Sequence, residues 1–252
     1  MSRSIRWSLS LCVLMGFSWV AKAAEVNVYS YRQPHLIQPM FAVFTQETGI
    51  AVNAVYAKTG MLERLRSEGR NSPADLVFTV DIGRLVDTVS AGLTQSVESA
   101  VLKVNIPANF RDPDGHWFGL TARARLIVTS RKRVAAGEIT RYEQLVEPKW
   151  RGRVCTRSAK HPYMVALTAS MIAAHGLDTT KHWLQGVKKN LARKPQGNDR
   201  TQVKAIYSGL CDVAVINHYY MAKMLADEEQ NPWAKSVRVI FPNQNDRGTH
   251  MN

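Results

Sequence analysis

Two adjacent tyrosines, Tyr219 and Tyr220, are the residues of this chain whose types and spacing most suggest chemistry. They follow residues 213–216, an apolar, mostly β-branched run that has the pattern of a buried strand. Asn217 ends that run and is a good helix N-cap residue, and apolar residues recur at helical spacing over 221–225. We therefore expect both tyrosines to lie in the first turn of a helix that follows a strand.

This position suits a ligand site for a cation. In open α/β sheets, ligands bind just beyond the carboxyl ends of the strands. A helix N-terminus favours negative charge there, such as an ionised phenol. Phenolate oxygen is a hard donor, and hard, highly charged cations prefer oxygen ligands. The alternative is that the pair is half-buried packing with solvated hydroxyls, which is the commoner outcome for an isolated Tyr-Tyr pair.

A third tyrosine has the same predicted local placement. Tyr163 comes directly after Pro162, at the beginning of a predicted helix over 163–175 that follows a predicted strand over 153–156. Three phenols at two neighbouring strand ends indicate a shared site more strongly than one pair does.

The N-terminus has the features of a secretory signal peptide. Arg3 and Arg6 precede an apolar stretch over 9–20, and residues 21–23 form a small-x-small cleavage site. The stretch is too short for a transmembrane span. We expect residues 1–23 to be removed and the mature chain to be exported and soluble.

The chain is strongly basic. Its formal charge is +13, and removal of Arg3, Arg6 and Lys22 leaves 13 − 3 = +10 for the mature chain. The basic residues are dispersed, with no stripe of lysine and arginine interleaved with aromatics, so no nucleic-acid partner is expected. An anionic ligand, a metal held with an anion, or an anionic membrane face explains the charge better.

Two cysteines remain after signal removal, Cys155 and Cys211. An even pair in an oxidising compartment suggests one disulfide, and two buried free thiols are the alternative. An exported hydrolase that uses Cys155 with His161, or a Ser/His pair, is the least favoured function. No orienting third group stands out, and the sequence contains neither a Gly-x-Ser-x-Gly elbow nor a His-Glu-x-x-His motif. We expect no enzyme.

Strand and helix patterns alternate along the chain. Predicted strands over 25–30, 50–57 and 76–80 are separated by helices, with Thr59 and Asp81 as helix caps. This order predicts a mostly parallel sheet covered by helices. A strand over 120–129, with Arg123 and Arg125 on one side by period two, is interpreted as the crossover into a second lobe.

Several motifs together resemble a known family. They cover nearly the whole mature chain, and they are VYSYRQP (28–34), SPADLVFTVDIGRLV (72–86), HWFGLTARARLIVTS (116–130), WRGRVCTRSAKHPY (150–163), LARKPQGNDRTQVKAIYSGLCD (191–212), NHYYMAKML (217–225) and FPNQNDRGTHMN (241–252). The chain resembles the periplasmic ferric-ion-binding proteins of ABC iron importers, a branch of the bacterial extracellular solute-binding proteins.

The resemblance implies a two-lobed α/β "Venus flytrap" that is a monomer, binds Fe(3+) and delivers it to an inner-membrane ABC permease. The family's iron-binding tyrosines match Tyr163, Tyr219 and Tyr220, and carbonate or bicarbonate is the expected synergistic anion. Arg32, Gln33 and Arg123 are the candidates to hold that anion, because guanidinium matches a planar oxyanion bidentately. For Arg123 the alternative is a salt link between lobes. The implied domains are an N-terminal lobe over 24–122, a C-terminal lobe over 123–242 and the start of a return crossover over 243–252.

This chain departs from the family pattern in two places. Relatives carry His-Tyr after the arginine of the first loop, whereas Gln33-Pro34 stands here and only His35 is near. We therefore expect a three-tyrosine site. Family chains also continue beyond the point that corresponds to residue 252, so we expect a fold truncated at its C-terminus. The alternative function is the same fold binding an oxyanion or a small organic solute through Arg32, Arg123 and stacking tyrosines.

Overall fold

A computed structural model describes residues 24–251. The predicted signal peptide, residues 1–23, lies outside the described residues, as does Asn252. The chain divides into two compact units, one ending at Phe78 and one beginning at Thr79. The lobe limits expected at 122/123 and 242/243 stay predictions.

The first unit is a three-stranded parallel sheet with two main helices. Its strands are in the order β2-β1-β3, and β1 pairs in parallel with both neighbours. The elements are β1 (Glu25–Ser30), α1 (Pro34–Thr48), β2 (Ala51–Tyr56), α2 (Met61–Glu68) and β3 (Leu76–Phe78). The predicted parallel α/β pattern is confirmed for this unit.

One local prediction in the first unit is wrong. Thr59 does not cap α2, because Gly60 occupies the N-cap position with φ +81°, a conformation that glycine adopts without strain. The apolar residues of α1 are only partly buried. Ile37 is 3% exposed, whereas Met40 and Phe44 are 47% and 38% exposed.

The second unit contains a four-stranded sheet and most of the helices. Its elements are α3 (Ile82–Ser90), α4 (Ala100–Asn105), β4 (Arg125–Ser130), β5 (Val154–Cys155), α5 (Pro162–His175), α6 (Leu177–Asn190), α7 (Asp199–Tyr207), β6 (Val213–Asn217), α8 (Tyr219–Leu225), α9 (Asn231–Lys235) and β7 (Val237–Ile240). Asp81 caps α3 as predicted, since its side chain accepts a hydrogen bond from the backbone N–H of Arg84. The strand predicted over 120–129 begins only at Arg125.

The second sheet is mixed rather than mostly parallel. Its order is β5-β6-β4-β7, with β5 parallel to β6 and β4 antiparallel to both β6 and β7. Because β4 runs against β6, its first residue, Arg125, pairs with Asn217, the last residue of β6. The beginning of β4 and the carboxyl ends of β5 and β6 therefore lie at the same edge, where a ligand site is expected.

The sheet of the second unit is buried on both faces. Alternate residues of β4 enter opposite clusters: Leu126 and Val128 pack in one, and Ile127 packs in the other. Cys155 and Cys211 lie in the first cluster and form a disulfide with their Cα atoms 6.0 Å apart. The predicted pairing is confirmed, and it joins β5 to the residues that lead into β6.

Within residues 24–251, no helix is long and apolar enough to cross a membrane.

Candidate metal-binding site

The structure brings the three predicted tyrosines together at the edge where β5 and β6 end. The hydroxyl oxygens of Tyr163 and Tyr219 lie 3.1 Å apart. The rings of Tyr219 and Tyr220 have their centroids 4.4 Å apart, with planes inclined by 34°. Neighbouring oxygens around a small octahedral cation with bonds of about 2.0–2.1 Å are separated by roughly 2.9 Å. The Tyr163–Tyr219 separation is thus close to that of two ligands of one small cation.

Tyr163 owes its position to the beginning of α5. Pro162 occupies the first helical position. A backbone N–H at that position would have no acceptor within the helix, so a proline, which has no N–H, is well tolerated there. The Nδ1 atom of His161 accepts the backbone N–H of Tyr163 at 3.2 Å. Burial, with a smaller contribution from the nearby Arg157, lowers the pKa of His161 to about 4. The imidazole is therefore neutral at pH 7, as an accepting Nδ1 requires.

Tyr219 and Tyr220 begin α8, as predicted, but Asn217 does not cap that helix. Asn217 is fully buried as the last residue of β6, and His218 occupies the N-cap position without a capping hydrogen bond from its side chain. The Nδ1 atom of His218 instead accepts the backbone N–H of Ala124 at 3.0 Å. The cap prediction failed because the Asn217 side chain bonds to a buried arginine from another strand.

The environment of Tyr219 favours the neutral phenol. Burial raises its pKa, and hydrogen bonding with Tyr163 and Tyr220 raises it further. These effects disfavour the phenolate because a partly buried anion loses hydration and the neighbouring hydroxyls do not supply a compensating charge. A cation that binds here must therefore displace protons.

Three guanidinium groups surround the ring of Tyr163. Those of Arg123 and Arg157 lie 5.0 Å from the ring centroid, and that of Arg125 lies 5.8 Å from it. Arg123 is partly exposed, whereas Arg125 is fully buried. Of the two arginines predicted on one side of the strand, Arg123 is thus the one that solvent reaches.

Arg32 and Gln33 follow β1 in the first unit. The backbone N–H of Arg32 donates to Ser30 Oγ at 3.0 Å, and Gln33 is the N-cap residue of α1. The anion-binding role of Arg32, Gln33 and Arg123 stays a prediction. His35 is exposed in the first turn of α1.

Sequence reasoning missed a buried ionic group beside the tyrosines, which we call the Asp199 cluster: Arg125, Arg157, Asp199 and Asn217. The Nη1 atoms of Arg125 and Arg157 donate to the two carboxylate oxygens of Asp199, at 2.7 and 3.0 Å. The backbone N–H of Asn217 donates to the same carboxylate at 2.8 Å. Arg125 also donates to Asn217 Oδ1 at 3.0 Å. Both side chains of the Arg125–Asp199 pair are 0% exposed.

The signal for this cluster in the sequence was weak. Asp199 follows Asn198, the residue that caps α7, and an acidic residue in a first helical turn is ordinarily a solvated partner of the helix dipole. Its burial depends on β4 and on the loop after β5, which are distant in sequence.

Among residues 24–251, no group of three or more His, Cys, Asp or Glu side chains is arranged to hold a metal ion. The phenol oxygens at the described edge are hard donors, which suit a hard cation.

Comparison with known proteins identifies a family. Residues 71–245 match the profile of a family described as bacterial extracellular solute-binding protein. Iron uptake protein A1 of Synechocystis sp. is 45% identical over 231 residues, which cover 90% of this chain and 64% of that protein. The chain thus spans a little under two thirds of the length of that relative.

Solved structures of ferric iron-binding proteins are also similar to this chain. Ferric iron-binding protein A of Mannheimia haemolytica, in an open conformation, is 50% identical with a TM-score of 0.85, over 91% of this chain and 73% of that one. A Trichodesmium protein in complex with iron and citrate ligands is 40% identical with a TM-score of 0.86, over 91% and 73% of the two chains. The predicted α/β fold is confirmed.

Proposed function

Because this chain belongs to the bacterial extracellular solute-binding protein family, we propose that it captures ferric iron through the phenolate oxygens of Tyr163, Tyr219 and Tyr220. The family consists of extracellular or periplasmic solute-binding transport proteins and not of enzymes. Several relatives are named for ferric iron, among them the Fe(3+)-binding periplasmic protein of Serratia marcescens.

The observation that carries the proposal is the 3.1 Å separation of the Tyr163 and Tyr219 hydroxyl oxygens. In the iron-free chain the two hydroxyls share a hydrogen bond, and this contact already holds their oxygens close to the spacing of two ligands of one small cation. A shared small cation gives the contact a function. Tyr220, whose ring lies against Tyr219, supplies the third oxygen of the proposed ligand set.

The binding reaction balances in charge. Three neutral phenols lose three protons to solvent as one Fe(3+) ion forms three iron–oxygen bonds, and the resulting group is neutral. A phenol has a pKa near 10 in water, and burial raises that of Tyr219 further. The trivalent charge supplies the compensation, since a bound metal can deprotonate its ligand outright. Because binding releases protons, the apparent affinity for iron decreases as pH is lowered.

We further propose that an oxyanion such as carbonate or bicarbonate completes the iron shell. Arg123, partly exposed and 5.0 Å from the Tyr163 ring, is the candidate in the second unit to hold it, with Arg32 and Gln33 as candidates from the first. A planar guanidinium can donate two parallel hydrogen bonds to such an anion.

The proposed role in transport is inferred from membership of the family. We propose that the mature chain acts as a monomer in the periplasm, after removal of residues 1–23, and delivers iron to an inner-membrane ABC permease. Closure around a bound solute is the motion expected of such binding proteins.

A ferric titration tests the proposal. Wild-type protein titrated with ferric nitrilotriacetate should develop a visible phenolate-to-iron charge-transfer band with one iron per chain. Tyr219→Phe combined with Tyr220→Phe should abolish the band. Tyr207→Phe is the matched control, because Tyr207 lies on α7 and is 51% exposed, and it should leave the band unchanged. Equal band intensity in the double variant and the wild type would exclude tyrosine ligation.

The second candidate is capture of an oxyanion or a small organic solute without iron. The three guanidinium groups around Tyr163 favour it, because they give this edge positive charge even before a cation arrives. Calorimetry of iron-free protein against sulfate, phosphonate and carboxylate solutes separates the two. Binding of one of these at micromolar concentration, with no ferric band, would establish the second function in place of the first.

A further inference from the structure

Asp199 is the point where the two tyrosine-bearing strand ends are joined. Arg157, in the loop between β5 and Tyr163, donates to one carboxylate oxygen, and the backbone N–H of Asn217, two residues before Tyr219, donates to the other. Arg125 donates to Asp199 and to Asn217, and its Nη2 atom lies 3.4 Å from the sulfur of Met164, the neighbour of Tyr163. One carboxylate thus contacts both chain segments that lead to the tyrosines, the one before Tyr163 and the one before Tyr219.

We propose that Asp199 is a positioning residue that holds the hydroxyl oxygens of Tyr163 and Tyr219 at ligand spacing before iron arrives. The inference rests on the proposed function for its biological meaning, but the positioning itself is a property of the iron-free chain. Groups outside the ligand shell that orient the ligands typically contribute 10- to 100-fold in metal affinity.

The cluster has no substitute for Asp199. It contains two guanidinium groups and one carboxylate, so it carries a net charge of +1 in a buried place. The Nε atoms of Arg125 and Arg157 and the Nδ2 atom of Asn217 are buried without a hydrogen-bond partner in residues 24–251. Donors are already in excess there, and loss of the carboxylate would leave two buried guanidinium groups without their shared acceptor. Removal of one partner from a buried ion pair is strongly destabilising, so we expect the two guanidinium groups and the segments that carry them to shift.

The opposite end of β6, the strand that ends at Asn217, provides a matched control. There Asp212 accepts hydrogen bonds from the Nε atoms of Arg133 and Arg153, and this group we call the Asp212 cluster. In each cluster one carboxylate accepts hydrogen bonds from two arginines, and the two clusters lie at opposite ends of β6. Only the Asp199 cluster contacts segments that lead directly into tyrosines, so a general loss of stability and a loss of positioning can be told apart.

The test compares Asp199→Asn with Asp212→Asn in two readouts. In iron-free protein with tyrosine labelled by ¹³C at the Cζ position, the Tyr163 and Tyr219 signals should shift in Asp199→Asn and stay in place in Asp212→Asn. In a citrate competition, Asp199→Asn should bind ferric iron 10- to 100-fold more weakly than the wild type, with a shifted charge-transfer maximum, and Asp212→Asn should match the wild type. Equal changes in the two variants, or none in Asp199→Asn, would overturn the inference.

A second variant covers a failure of Asp199→Asn to fold. Arg157→Gln removes one arm of the cluster at a side chain that is 10% exposed and leaves the Arg125–Asp199 pair intact. Loss of the Arg157 charge, 5.0 Å from the Tyr163 ring, shifts the Tyr163 signal by itself, so the deciding signal in this variant is that of Tyr219. The Tyr219 signal should move as well, and an unmoved Tyr219 signal would count against positioning. If wild-type protein shows no ferric band, the proposed function fails, while the labelled-tyrosine readout still decides whether Asp199 positions the phenols.

Discussion

The hydroxyl oxygens of Tyr163 and Tyr219 lie 3.1 Å apart although the residues are 56 positions apart in sequence. Each stands at the beginning of a helix that follows one of two adjacent parallel strands, β5 and β6. Both belong to the second compact unit, so their spacing is set within one sheet. The contact is therefore present in the iron-free chain, as the proposed cation site requires.

Iron binding should release about three protons for each ferric ion. The pKa of Tyr219 is raised by burial and by its phenol neighbours, so this phenol is neutral at pH 7 and must lose its proton when iron binds. The apparent affinity should then fall by up to about 1,000-fold for each unit by which pH is lowered, tenfold per proton. Calorimetry in buffers of different ionisation enthalpy measures the number directly.

The control for proton release is the double variant Tyr219→Phe, Tyr220→Phe, which should release at most one proton with any residual iron. A wild-type value near zero would mean that iron is held by groups already ionised, which contradicts phenolate ligation.

The disulfide should contribute substantially to stability. Cys155 and Cys211 are 56 residues apart in sequence, and closing a loop of that size contributes roughly 4 kcal/mol in the chain-entropy model. Replacing both cysteines with alanine should lower the free energy of unfolding by a similar amount, measured in urea. Reductant should destabilise the wild type and leave the double variant unaffected. A wild type that is indifferent to reductant would argue against the bond.

Local sequence patterns predicted the strand and helix order and the location of the three tyrosines. The β-branched run before Asn217 and the Pro162-Tyr163 pair are signals that act over a few residues, and β6, α5 and α8 follow them. Parallel pairing of β5 and β6 then places the tyrosines at one edge, as the alternation of strands and helices indicates.

Interactions between distant segments could not be predicted in this way. Asn217 is of a residue type that is common at helix N-caps, but its pairing with Arg125 on the antiparallel strand β4 buries it. Asp199 resembles a solvated residue at a helix N-terminus until Arg125 and Arg157 reach it from elsewhere in the chain. The direction of β4 decides both outcomes, and strand direction is a property of the whole sheet.

Asp212→Asn should destabilise the protein in a pH-dependent way. Burial alone would raise the pKa of Asp212, but the hydrogen bonds from Arg133 and Arg153 outweigh it and lower the pKa below its ordinary value of 3.8. The folded state therefore gains stability above about pH 4 and loses it as pH falls through the lowered pKa. We expect the variant to lose about 1–3 kcal/mol at pH 7, because two charged hydrogen bonds weaken.

Urea unfolding at pH 7 and at pH 3.5 measures this difference, which should narrow at the lower pH. The matched control is Asp178→Asn. Asp178 pairs with Lys181 at 3.0 Å, but its side chain is 86% exposed, so the change should be within about 0.5 kcal/mol. Equal losses in the two variants would show that the Asp212 cluster has no special role in stability.

His250 should make the folded chain sensitive to mild acid. Its backbone oxygen accepts the N–H of Arg125 at 2.9 Å, and its Nε2 atom is buried without a hydrogen-bond partner in residues 24–251. Burial, followed by the charges of Arg125 and Arg123, lowers the pKa of His250 to about 4. The unfolded chain takes up this proton near pH 6.5 and the folded chain only near pH 4, so stability falls as pH drops across that interval.

The loss from this one histidine is at most about 3.5 kcal/mol, at about 1.4 kcal/mol for each unit of difference in pKa. His250→Gln should therefore make the stability profile between pH 6.5 and pH 4 shallower than that of the wild type, when the free energy of unfolding is measured in urea at half-unit steps. His161, whose pKa is also lowered to about 4, keeps part of the slope in the variant. His182→Gln, at an exposed position of α6, should retain the full wild-type slope. If His250→Gln also retains the full wild-type slope, the imidazole takes up its proton as readily in the folded chain as in the unfolded one. Burial and the charges of Arg123 and Arg125 would then not lower the pKa of His250.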